Sequence, residues 1–168
     1  MKKIFSLMLV LALLLSHAFA IEGLTDFVTI DMEGNEVTQE IFADYDLTVV
    51  NTWATWCGYC IQEMPELAKL KTMLPENVNF ITLCEDAHLD MDLTGQILDA
   101  SGATFQTLVN TQEIYDQFFH QVQYFPTTFF LDSEGHCEGE PIIGVPSLTD
   151  AADVYYAYIM DVLSAMEK

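Results

Sequence analysis

The chain has 168 residues, of which five are basic and 26 acidic, for a net charge of −21 at neutral pH. A field of that sign repels nucleic acid and anionic lipid headgroups and favours basic partners or plain solubility. The acids are scattered along the chain, so they mark no single binding site.

The first twenty residues, MKKIFSLMLVLALLLSHAFA, read as a secretory signal: Lys2 and Lys3, an apolar run from Ile4 to Leu15, and the small-x-small pattern Ala18-Phe19-Ala20. The run is short for a spanning helix. A signal left uncleaved would serve as an N-terminal anchor. Cleavage after Ala20 leaves 148 residues with three lysines, no arginine and all 26 acids, a net charge of −23. Residues 21–168 contain no repeat, low-complexity tract or linker, so they read as one domain, long enough to bury a core.

Phe27, Val28 and Ile30 lead into the turn Glu33-Gly34-Asn35, and Val37 follows, which predicts a small β-hairpin. Leu47–Trp53 is a continuous apolar and β-branched run, the pattern of a buried central strand. From Cys57 the period becomes helical, with Ile61, Met64, Leu67, Leu70 and Leu74 as the apolar stripe. Pro65 should interrupt and kink that helix, and Pro75 and Asn77 end it. Val78–Leu83 predicts a second buried strand, Leu93–Ala100 a helix closed by Gly102, Thr107–Val109 a short strand, and Gln112–Gln121 a helix. Thr127–Leu131 predicts a strand that turns at Asp132–Gly135, with Pro141–Val145 returning. Ser147-Leu148-Thr149-Asp150 has capping-box spacing and opens a last helix to about Met166. Parallel β-α-β units followed by an antiparallel hairpin imply an α/β sandwich with helices on both faces.

The chemistry concentrates in TVVNTWATWCGYCIQEMPEL, residues 48–67. A structural zinc site needs four ligands, and Cys84 and Cys137 are single and far from the Cys57/Cys60 pair, so no metal is expected. Ile61 stands where haem attachment needs His. The redox reading fits better. A helix beginning at Cys57 places that sulfur among unpaired N–H groups at the positive end of the macrodipole, which favours a thiolate. Cys60, one turn on and deeper, can attack a mixed disulfide on Cys57 and release the reduced substrate.

With WATWCGYC, the N-terminal hairpin, YFPTTFFLDSEG and Gly144, nearly the whole mature chain resembles the TlpA/ResA-like branch of exported thioredoxin-fold oxidoreductases. The resemblance implies a thioredoxin-like three-layer sandwich, with a mixed central sheet, helices on both faces and the hairpin at its N-terminal side. It implies Cys57 and Cys60 as the catalytic pair and Pro126 as a cis-proline facing them. Phe125 would then offer its backbone to an extended substrate, within a docking surface of Trp56, Gly58, Tyr59, Phe125 and Pro126. No cofactor is implied. The partners are protein or small-molecule disulfide substrates and a membrane redox partner, with the protein exported to the periplasm or another extracytoplasmic space. The direction favoured is disulfide reduction.

Some residues depart from the pattern or stand outside it. Thioredoxin carries a buried aspartate where this chain has Asn51, which cannot act as a base. The proton of Cys60 must then pass to water or another carboxylate. Glu63, three residues after Cys60, is a candidate, although the plainer expectation there is a solvated helix face. Gly58-Tyr59 replaces the Glu-Pro of some members that reduce cytochrome c precursors, which weakens that assignment. Cys84 and Cys137 should lie near opposite ends of the sheet and remain unpaired. Cys84 reads as a small buried apolar residue, or as a third thiol regulating the pair, and Cys137 as the site of an intermolecular bridge. The stretch from Cys84 to Asp92 reads as a solvated acidic loop without metal-loop spacing, and His120 and His136 as surface residues. A peroxidase pattern, Pro-x-x-x-Thr/Ser-x-x-Cys, is missing around Cys57. The competing reading is a thioredoxin-fold binding module whose disulfide is static.

Overall fold

A computed structural model describes residues 21–166; the expected signal segment 1–20 lies outside them. Strands β1 (Val28–Ile30) and β2 (Glu36–Thr38) form the antiparallel hairpin. The main sheet contains β3 (Leu47–Trp53), β4 (Val78–Cys84), β5 (Gln106–Val109), β6 (Thr127–Leu131) and β7 (Ile142–Ile143), in the order β5-β4-β3-β6-β7. β3, β4 and β5 run parallel; β6 is antiparallel to β3, and β7 to β6. The helices are α1 (Gly58–Met73), α2 (Met91–Ser101), α3 (Gln112–Gln117) and α4 (Ala151–Met166). Among the described residues no helix is long and apolar enough to cross a membrane.

Successive residues of a strand face opposite sides of a sheet, and the two cores follow that alternation. Leu47, Val49, Trp53, Phe80 and Phe130 point to one face, where Met64, Leu67 and Leu70 of α1 meet Tyr155, Ile159 and Val162 of α4. Val50, Ile81, Leu83, Leu108, Phe129 and Leu131 point to the other, covered by Phe27 and Val37 of the hairpin, Phe42, Ile114 and Phe118. The hairpin also guards an edge: Met32 N–H donates to the Thr107 carbonyl (3.1 Å) and Asp31 bridges Leu108, so β5 offers no free strand to a neighbour.

The structure revises several expectations. α1 runs unbroken through Pro65. Pro65 sits on the exposed side, where water can satisfy the carbonyl that loses its helical donor, while the opposite side is held by packing. The buried stripe of α1 is Cys60, Glu63, Met64, Leu67 and Leu70, one residue out of phase at its start from the stripe read at Ile61. Residues 112–121 divide into α3 and a 3-10 turn, Phe119–Gln121. Ser147 does not cap α4. Asp150 precedes its first residue, with its carbonyl accepting from Asp153 N–H and Val154 N–H. Glu66 of α1 supplies an acceptor to Ala152 N–H (3.1 Å), so a carboxylate from the neighbouring helix fills part of the N-terminal need.

Candidate active site

Cys57 is the residue before α1, in extended conformation, and its sulfur accepts from Cys60 N–H at 3.2 Å. The two cysteines form a disulfide with Cα atoms 5.3 Å apart. Cys57 keeps 7% of its surface and Cys60 1%, so the first sulfur is the one a substrate can reach. Gly58 leaves the approach open, because a Cβ there would meet nothing within 4 Å. Trp56 and Tyr59 flank the pair and are 68% and 65% exposed.

The Phe125–Pro126 peptide bond is cis. Pro126 starts β6 from the loop side, and its carbonyl accepts from Gly144 N–H (2.8 Å), with Gly144 at φ +78°. Phe125 is held by edge contacts with Trp56 and Phe119, centroids 5.7 and 5.9 Å apart. No hydrogen bond within the described residues occupies its main-chain N–H or C=O. Tyr59, Phe125 and Pro126 line a cleft of about 300 Å³ with Gly144, Val145 and Leu148. Of the residues expected in a docking surface, Tyr59, Phe125 and Pro126 line this cleft and Trp56 packs on Phe125, whereas Gly58 is not in its lining; Val145 and Leu148 line it as well.

Asn51 and Glu63, the latter three residues after Cys60 on the buried stripe of α1, face one another inside the core, 1% and 2% exposed. Asn51 Nδ2 donates to Glu63 Oε1 (2.8 Å) and to Thr128 Oγ1 (2.9 Å), and Tyr155 Oη donates to Glu63 Oε2 (3.4 Å). The solvated helix face expected for Glu63 is overturned. Its position one turn after Cys60 falls on the buried stripe. Burial pushes its carboxyl up from an ordinary 4.5 to about 7, against the hydrogen bonds from Asn51 and Tyr155, which favour the charged form.

The stretch from Cys84 to Asp92 is likewise no solvated loop. Cys84, Asp86 and Ala87 are buried, and only the end from His88 is exposed before α2 begins. Asp86 fastens the loop that carries the first cysteine: its carboxylate accepts from Thr55 N–H (2.9 Å) and Thr55 Oγ1–H (2.5 Å). Burial pushes the Asp86 carboxyl up, but the Thr55 and Cys84 bonds outweigh it and leave the group below its ordinary value. The Cys84 thiol, 3.4 Å from Asp86 Oδ1, is pushed up by burial and by that charge, so it stays protonated. Replacing Asp86 with alanine strands the Thr55 donors. The expected loss is about 2 kcal/mol of stability, read by urea denaturation of the oxidised protein, with Asp86→Asn recovering part of it because an amide oxygen still accepts from Thr55.

Cys84 and Cys137 are unpaired. Cys84 lies opposite Trp53, the last residue of β3, whereas Cys137 bridges Leu131, which lies opposite Thr48 near the start of β3. They therefore occupy opposite ends of the sheet. Burial and the charges of Asp132 and Glu138 push the Cys137 thiol up to about 12. His120 and His136 are exposed.

Comparison with known proteins agrees with this architecture. The AhpC/TSA family profile matches residues 22–138. The thioredoxin-like protein YneN of Bacillus subtilis is 30% identical over 88 residues, which are 52% of this chain and 51% of that protein; the chain thus matches about half the length of this curated relative. Among solved structures, a thiol:disulfide interchange protein of Chlorobium tepidum superimposes with a TM-score of 0.69 at 18% identity, covering 84% of this chain and 96% of the other. A secreted Mycobacterium tuberculosis disulfide oxidoreductase homologous to E. coli DsbE gives 0.65 at 16% identity, covering 81% and 96%. StoA of Bacillus subtilis gives 0.61 at 19% identity, covering 76% and 93%. These likenesses show the fold, and with a profile match spanning most of its length the chain belongs to the AhpC/TSA family of thioredoxin-like proteins.

Proposed function

We propose that the protein is an exported thiol–disulfide oxidoreductase that works as a disulfide reductase. The observation that carries this reading is the Cys57–Cys60 pair at the start of α1, with the outer sulfur framed by exposed aromatic side chains and an open Phe125 main chain. In the reduced protein the helix N-terminus stabilises a Cys57 thiolate. That sulfur attacks one sulfur of the substrate disulfide, forms a mixed disulfide and expels the other substrate sulfur. Cys60 then attacks Cys57, re-forms the internal disulfide and releases the second substrate thiol. Glu63, buried one turn beyond Cys60, is the base that receives the Cys60 proton, in place of the aspartate that Asn51 replaces. The docking surface is Trp56, Gly58, Tyr59, Phe125 and Pro126, with the Phe125 backbone pairing to an extended peptide.

A reductase must be recharged, and a membrane donor of electrons suits a protein whose first twenty residues direct it outward. The net charge disfavours nucleic acid and favours basic clients. Exchange with basic polypeptides should therefore slow steeply between 20 and about 500 mM salt, whereas exchange with a neutral small disulfide should not. A peroxidase reading gains nothing from the site, because Val50 and Ala54 stand where that pattern needs proline and a hydroxyl residue. The test is the rate at which the reduced domain, residues 21–168, reduces bis(2-hydroxyethyl) disulfide and a disulfide-bonded polypeptide. Turnover of both supports the reading; a disulfide inert toward both means a static staple in a binding module.

A further inference from the structure

The buried polar cluster around Glu63, one helical turn after Cys60, has a hydrogen count that depends on the charge of Glu63. It consists of four side chains from four elements: Asn51 on β3, Glu63 on α1, Thr128 on β6 and Tyr155 on α4. All are at most 2% exposed. Four contacts join them in a closed loop. Asn51 Nδ2 reaches Glu63 Oε1 (2.8 Å) and Thr128 Oγ1 (2.9 Å), Thr128 Oγ1 reaches Tyr155 Oη (3.2 Å), and Tyr155 Oη reaches Glu63 Oε2 (3.4 Å).

An ionised carboxylate only accepts, so Tyr155 must donate to it and accept from Thr128. Thr128 in turn accepts from Asn51. The amide then gives two hydrogens, the threonine one and the tyrosine one, and each of the four contacts holds one hydrogen. Protonating Glu63 adds a fifth hydrogen with no fifth contact in the loop. Whichever way the two hydroxyls turn, one buried hydrogen is left without an acceptor inside the cluster. Such an orphan is costly in a dry site.

We propose that Tyr155 and Thr128 are positioning residues that fix the protonation state of Glu63, closing a loop that is complete only when Glu63 is a carboxylate ready to take the Cys60 proton. This inference rests on the role given to Glu63 in the reading above. In the step it serves, the Cys60 S–H proton passes to Glu63, the Cys60 sulfur bonds to Cys57, and the Cys57–substrate S–S bond breaks. The substrate sulfur leaves with the bonding pair and takes a proton, so no outside oxidant or reductant is needed. Burial opposes the charged state and the loop supports it, and the two together leave the carboxyl at about 7, where it can both take and return a proton. Of the titratable groups on the packed elements, Tyr155 comes from α4 and Cys60 from α1 itself. The polar residues of β3 and β6 are all neutral: Thr48, Asn51, Thr52, Thr127 and Thr128. Glu66, Lys69 and Asp153 lie at the outer rim of the α1–α4 contact, where Lys69 pairs with Asp153 and Glu66 with Ala152 N–H.

The test is a pH titration of the Glu63 side-chain carboxyl by NMR in protein labelled at the glutamate Cδ, with Glu63→Gln identifying the signal. Tyr155→Phe keeps the ring and removes a donor to the carboxylate. Its Glu63 should bind a proton at least about tenfold more tightly than in the parent. Thr128→Val, similar in shape, should move the midpoint the same way by less, and it serves if Tyr155→Phe does not fold. The rate of bis(2-hydroxyethyl) disulfide reduction against pH is measured alongside, and its acidic limb should follow the NMR midpoint in each variant. A midpoint unchanged in both variants, with Glu63→Gln slow in exchange, overturns this inference and leaves the base role standing. A Glu63→Gln protein that exchanges as fast as the parent at every pH removes the base role, and this inference with it.

Discussion

Replacing Cys57 with serine is expected to abolish disulfide exchange, a loss on the order of 10³-fold or more, because no other described thiol can substitute for it. Cys84 is fully buried and held protonated by burial beside Asp86, and Cys137 lies at the far end of the sheet. Replacing Cys60 with serine should have a different signature. Cys57 still attacks, but nothing resolves the intermediate, so a protein–substrate mixed disulfide accumulates. Intact-mass measurement under non-reducing conditions checks both: no adduct for Cys57→Ser and a stable one-to-one adduct for Cys60→Ser. An adduct that formed equally well without Cys57 would place the nucleophile elsewhere.

The second large effect is on stability and comes from Glu63→Gln. The native carboxyl titrates near 7 instead of 4.5 because it is buried. Between those values the unfolded chain has lost its proton and the native state has kept it, so stability falls as pH rises. Below about 4.5 both states are protonated and the group contributes nothing. Above about 7 both are ionised and the cost is complete, on the order of 3 kcal/mol. Glutamine escapes this cost. Its oxygen still accepts from Asn51 and one amide hydrogen can donate to Tyr155 in a reversed bond, but the amide brings two hydrogens to a loop with no spare acceptor, a cost that is the same at every pH. Urea denaturation should therefore show the stability of Glu63→Gln relative to the parent rising by about 3 kcal/mol between pH 4.5 and pH 8, on top of a pH-independent offset from the surplus amide hydrogens. The comparison between the two proteins removes the general repulsion among the other acids, which both share. A buried carboxyl of this kind thus leaves the protein less stable above neutral pH than one without it.

Most of the frame was legible from residue patterns. The run Leu47–Trp53 and the run Thr127–Leu131 are so continuously apolar or β-branched that no other element fits them, and both strands have those bounds. The pair Cys57/Cys60 could be placed at a helix start because the period changes from strand to helix between Trp53 and Ile61. What could not be read were polar residues that the tertiary structure buries. With the stripe of α1 phased on Ile61, Glu63 falls on the solvated side, and only its spacing from Cys60 marks it as a candidate base. Phased on Cys60, the i, i+3, i+4, i+7 pattern passes through Glu63, Met64 and Leu67, and the carboxyl falls inside. Asp86 looked like one acid among several, and its partner Thr55 is 31 residues away, a pairing that local pattern does not encode. Tyr155 and Thr128 meet Glu63 only because α4 packs across α1 over the face of β3 and β6. Local spacing thus identified the sulfur chemistry, and long-range packing supplied the proton chemistry.

Cys57 and Cys60 are proposed to form a couple that donates electrons to exported disulfides. The most direct measurement is the reduction potential of that couple in residues 21–168 with Cys84 and Cys137 replaced by alanine, equilibrated against dithiothreitol and glutathione buffers and followed by thiol trapping. A donor couple should lie near thioredoxin, about −270 mV, and a value near that of DsbA, about −120 mV, would contradict electron donation.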